Sequence, residues 1–83
     1  MQIVYTSHAR TVIAERAIHE SWIEAALTSP DWIEPDPADA DVERRFRAIR
    51  EMAGRILRVA CSVGAGEFRV ITVFFDRKAK PKL

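Results

Sequence analysis

Residues 56–63 and 68–75 are two runs of mostly apolar, β-branched and aromatic residues with Gly64-Ala65-Gly66 between them. In the first run Leu57, Val59, Cys61 and Val63 alternate with Ile56, Arg58, Ala60 and Ser62, giving one apolar and one mixed face at the two-residue period of a strand. The glycines supply a turn and the second run returns antiparallel, so the sequence predicts a β-hairpin. Residues 68–75 are β-branched or aromatic at nearly every position, the pattern of a central strand. Beyond them Arg77, Lys78, Lys80 and Lys82 form a short basic run, of which residues 78–83 are a tail expected to fray.

Upstream of the hairpin the pattern is helical. Ile3-Val4-Tyr5 suits a short edge strand, after which Thr6 or Ser7 offers a hydroxyl to cap a helix. Ala9, Val12, Ile13 and Ala17 recur at helical spacing from about residue 8 to 16, and Ile18, Trp22, Ile23, Ala26 and Leu27 do the same from about 19 to 28. Ser29-Pro30 ends the second helix, since a residue before proline avoids the α region. Trp32-Ile33-Glu34 reads as a short strand and residues 35–39 as an acidic loop. Residues 42–52 fit two periods. Val42, Phe46, Ile49 and Ala53 before Gly54 suit a helix with a glycine cap, whereas Val42, Phe46, Ala48 and Met52 share one face of a strand.

A chain of 83 residues closes one core, so residues 1–83 are read as a single α+β domain. Its one cysteine, Cys61, excludes an internal disulfide and lies in an apolar run that suits a buried thiol. No stretch approaches the roughly 20 apolar residues of a membrane span, and the first residues lack a signal peptide's order. A cytoplasmic protein without a membrane partner is expected.

The net charge of +1 conceals a division. Residues 1–43 carry two basic side chains against nine acids, a balance of −7, and residues 44–83 carry eleven against three, a balance of +8. This polarity favours a polyanion on the basic half, unless the two halves neutralise each other.

No phosphate-binding glycine loop, metal-spaced Cys/His set or nucleophile elbow occurs, so no cofactor and no metal are expected. What remains is a histidine at a helix start with arginines and a threonine on strands. Metal-free RNA cleavage needs a base for the 2′-hydroxyl, an acid for the leaving oxygen and cations for the phosphorane. A histidine is the side-chain type suited to act as base or acid near neutral pH, and Arg58 and Thr72 lie on strands expected to pair, so His8, Arg58 and Thr72 are the catalytic candidates. Arg44, Arg45 and Arg47 suit nonspecific phosphate contacts. Each has a structural counterpart: a capping bond for His8, and a salt bridge, for example to Glu15, for Arg58. Glu15-Arg16 is read as an ion pair locking the helices.

The blocks His8-Ala9-Arg10, Glu15-Arg16-Ala17-Ile18, Trp22 to Leu27, Pro30-Asp31, Gly54 to Val59 and Val70 to Arg77 resemble a small bacterial family of unknown function grouped with the RelE/ParE-like, BrnT-related type II toxins. The resemblance spans roughly residues 5–77 and implies two N-terminal helices packed on a small antiparallel sheet. Similar sequences often carry a proline near Arg50, so residues 42–52 are expected as a strand rather than a helix. The resemblance further implies a toxin acting as a metal-free RNase, partnered by an antitoxin protein and by RNA or the ribosome, with a homodimer left open. A non-enzymatic RNA- or protein-binding module of the same fold is the alternative. Its opening His-Ala-Arg adds Arg10 to the RNA-contacting set, and the tail adds Arg77 and Lys78.

Overall fold

The computed structural model describes residues 1–80. The chain runs β1 (Gln2–Tyr5), α1 (Ser7–Glu15), α2 (Glu20–Thr28), β2 (Trp32–Pro35), β3 (Glu43–Ile49), a 3-10 turn (Arg50–Met52), β4 (Arg55–Gly64) and β5 (Glu67–Phe75). The strands make one sheet in the order β1-β5-β4-β3-β2. Two expectations are corrected here. The sheet is mixed, because β1 pairs parallel with β5 while the other three pairings are antiparallel. The helices are also not N-terminal to all strands but lie between β1 and β2, the two edge strands. They carry the chain across one face from one edge to the other, since β1 and β2 stand at opposite ends of the strand order.

Residues 42–52 are a strand only as far as Ile49, after which the 3-10 turn leads into Ala53 and Gly54, both left-handed at φ 56° and 78°. The hairpin turn is tighter, with Gly64 opposite Glu67 and Gly66 at φ 71°.

Thr6 caps α1 and ties it to the sheet: its Oγ1 accepts from the Ala9 N–H at 3.1 Å and donates to the Ile71 carbonyl of β5 at 3.2 Å. At the other end Ile18 N–H donates to the Ile13 carbonyl and Ala17 N–H to that of Ala14, with Ala17 at φ 52°. This is a Schellman closure with alanine where glycine is usual, and Ile13 and Ile18 supply its apolar contact.

Ala9, Ile23, Ala26 and Leu27 of the helices pack on Leu57, Val59, Cys61, Val70 and Val73 of β4 and β5, all at or near zero exposure. Burying each larger side chain stabilises the fold by about 1.5–3 kcal/mol. A bulge lets both Val70 and Val73 face the helices. Cys61 pairs with Val70 and Ala60 with Thr72, so Ile71 is an extra residue and the alternation of β5 inverts there. Thr72 and Phe74 therefore join Arg58 on the opposite, helix-free face.

Candidate functional site

Strand alternation divides the three arginines of β3. Arg45 and Arg47 point to the helix side, where each donates from Nη1 to a carbonyl at the end of α2: Arg45 to Leu27 and Arg47 to Ser29. Those carbonyls have no helical N–H of their own, so the guanidiniums act as a C-terminal cap. Arg45 also stands 4.9 Å over the Phe68 ring and 3.4 Å from a Glu43 carboxylate oxygen. Arg44 alone reaches the other face, where its Nε lies 3.3 Å from Asp36. The continuous basic patch expected from the sequence is thus two structural arginines and one on the helix-free face.

On that face Arg58 is opposite Phe74 in register, and Thr72 is its diagonal neighbour. The guanidinium carbon of Arg58 lies 4.8 Å from the centre of the Phe74 ring, and Nη1 donates to Asp76 Oδ2 at 3.1 Å. Arg58 Nε is buried without a hydrogen-bond partner among the described residues. Asp76 Oδ1 accepts from the N–H groups of Lys78 and Ala79, so residues 76–79 turn back on the sheet. The first part of the tail expected to fray is therefore tied down, and residues 81–83 lie outside the described residues. Burial pushes the Asp76 carboxyl up, but the Lys78 N–H, the Arg58 guanidinium and the Ala79 N–H outweigh it and hold it below its ordinary value.

This turn walls a cleft of about 310 Å³ in which Arg44, Arg58, Lys78 and Lys80 face Glu34 and Asp76. Its floor is Phe46, stacked on Trp32 at 4.5 Å and 6° and only 2% exposed. Trp32 Nε1 donates to Glu34 at 2.7 Å, which turns that carboxylate toward the indole.

A second cationic site lies at the base of the hairpin, opposite its turn. Arg16, Arg55 and Arg77 line a groove of about 460 Å³ with Met52, Phe74 and Phe75. Arg16 Nη1 donates to the Val73 carbonyl at 2.8 Å and Arg55 lies 4.4 Å over the Phe75 ring. Sequence reasoning selected Arg77 as an anion contact and missed Arg55 and Arg16. The three come from three different elements, and no local pattern connects them.

The remaining candidates lie elsewhere. His8 is exposed in the first turn of α1, on the helix side of the sheet, so the sheet itself separates it from Arg58 and Thr72. Arg10 is exposed, 5.5 Å over the Tyr5 ring. The Glu15–Arg16 ion pair is corrected: neighbours along a helix do not face each other, and Arg16 turns to β5 instead. The second histidine, His19, stands at the start of α2 with its ring 4.5 Å from Trp22. Among the described residues no three of His, Cys, Asp and Glu converge as metal ligands, and no helix is long and apolar enough to cross a membrane.

These features define a small α+β domain whose sheet carries two helices on one face and a basic, aromatic-floored cleft on the other. Residues 5–75 match DUF4258, described as a domain of unknown function, and the chain belongs to that family. No curated protein and no solved structure matches it.

Proposed function

We propose that this domain binds single-stranded RNA through the cleft on its helix-free face, as the RelE/ParE-like toxin of a toxin–antitoxin pair. The observation that carries the reading is the convergence of Arg44, Arg58, Lys78 and Lys80 on one aromatic-floored cleft. Four cations against two carboxylates attract a polyanion, and Thr72 beside Arg58 supplies a hydroxyl to a phosphate oxygen. Asp76 on Arg58 and Asp36 on Arg44 hold the guanidiniums in place until phosphates compete for them. Antitoxin binding belongs to the same reading and competes with RNA if it covers this face.

The test is fluorescence anisotropy of a labelled RNA oligonucleotide over a series of salt concentrations. The logarithm of affinity falls with the logarithm of salt at about 0.7 per phosphate contacted, and Arg58→Gln and Lys78→Gln each reduce that slope by about one contact. Affinity that ignores salt, or variants that bind like wild type, overturn the reading.

RNase activity is the second reading, favoured by Arg58 and Thr72 sharing a face. His8, across the sheet, is not suited to act with them. Cleavage in EDTA that survives in His8→Ala and is lost in Arg58→Gln supports catalysis without His8. RNA that is bound but left intact leaves the binding module.

A further inference from the structure

Beyond the cleft, we infer that the groove at the hairpin base is a subsite for a terminal phosphate. Three guanidiniums line it, from the end of α1, the start of β4 and the residue after Asp76, and no carboxylate does. None of the three belongs to any of the four ion pairs among the described residues, although both cleft arginines do. Cations around one concavity that, among the described residues, are in no ion pair repel one another, and a bound anion relieves that repulsion.

Two of the guanidiniums are already oriented. Arg16 spends one of its five N–H groups on the Val73 carbonyl, which anchors it and leaves the others free. The guanidinium carbon of Arg55 lies 4.4 Å from the centre of the Phe75 ring, a cation–π contact that uses none of its N–H donors. Arg77 follows Asp76, whose carboxylate closes the turn, so its backbone is also held. Arg16 and Arg55 therefore have little side-chain freedom to lose on binding, whereas the exposed side chain of Arg77 is ordered by the ligand.

The charge count selects the ligand. An internal phosphodiester brings one negative charge and a terminal phosphate close to two, so a site of three cations without a carboxylate discriminates in favour of the terminus. Met52 and Phe74 add an apolar surface on which the adjoining nucleoside can rest. Asp76 lines the cleft and its neighbour Arg77 the groove, and both also line a small pocket with Arg55, so one strand can engage both sites. The inference rests on the RNA reading for its ligand, which can equally be a free nucleotide carrying the same phosphate.

Anisotropy distinguishes these sources. Short RNAs with a 5′-phosphate, a 3′-phosphate or hydroxyls at both ends are compared, with a nucleoside monophosphate and inorganic phosphate as competitors. One phosphorylated end is expected to bind about tenfold more tightly than the hydroxyl form. Arg55→Gln and Arg77→Gln abolish that preference, while Arg44→Gln weakens all three RNAs alike. Arg77, which follows the last strand, is the variant least able to disturb folding. Equal affinity for all three RNAs overturns the subsite and leaves the RNA reading standing. A monophosphate bound in an Arg77-dependent way without RNA binding keeps the subsite and overturns the RNA reading. Binding of none of these ligands overturns both.

Discussion

Arg58 and Asp76 form a latch: Nη1 of one lies 3.1 Å from Oδ2 of the other, and the guanidinium rests on Phe74 while the carboxylate's other oxygen closes the turn over residues 76–79. The same arginine is the one best placed to meet a phosphate in the cleft. Folding and anion binding therefore share a charge.

Asp76→Asn keeps an acceptor for the turn but removes the negative charge that faces Arg58. It is expected to lower stability by about 1 kcal/mol at pH 7, since both side chains keep some solvent contact. The Asp76 carboxyl is held below its ordinary 3.8 in the folded protein, so its contribution is full above that value and lost as the pH falls through the folded one. Urea unfolding should show a wild type–variant difference that is constant from neutral pH to about 5 and shrinks below about 4. A difference that widens in acid contradicts the latch. Free of its carboxylate, Arg58 should also bind RNA more tightly.

Ala17→Gly is expected to stabilise the protein by up to about 1 kcal/mol. Ala17 holds φ at 52° in the closure of α1, where a Cβ meets the following carbonyl and glycine does not. The gain exceeds the entropy that glycine adds to the unfolded chain. A thermal midpoint that falls would show that the turn rests on contacts of the alanine methyl.

Arg45→Met should cost about 2 kcal/mol, because it strips the Leu27 carbonyl of its charged donor and leaves Glu43 beside an apolar side chain. Arg69→Gln, by contrast, breaks an exposed pair 3.8 Å from Glu67 and should cost under about 0.5 kcal/mol. Similar losses for the two, measured as urea midpoints, would refute the capping role.

Burial pushes the Cys61 thiol up to about 11. Together with its zero exposure, this should make alkylation at pH 8 at least about a hundredfold slower in the native protein than in denaturant. Rapid native labelling would mean that the sheet opens readily between β4 and the helices.

The hairpin, both helices, a hydroxyl cap at Thr6 or Ser7 and the strand at Trp32 were legible because each rests on a local period or a single capping hydroxyl. The inversion of β5 at Ile71 was not. Its residues are apolar on both faces, so period two carries no sign of which faces the helices. The site followed the same division. That Arg58 and Thr72 share a face of the sheet was within reach because they lie on two adjacent, recognisable strands. His8 was joined to them only by its chemistry, and the fold sets it across the sheet. Arg45 and Arg47 read as surface charge because the carbonyls they cap belong to a helix about 18 residues away in sequence.

The hairpin of residues 55–75 was inherent in the chain, since alternation and glycines act between near neighbours. Which of its faces became the core, and hence that Arg58 and Thr72 look away from the helices, was decided only when the helices crossed one side of the sheet. Local sequence sets the conformation of each segment. The sharing of charges among Arg58, Asp76, Arg16, Arg55 and Arg77 depends on distances between segments far apart in the chain, and only packing sets those.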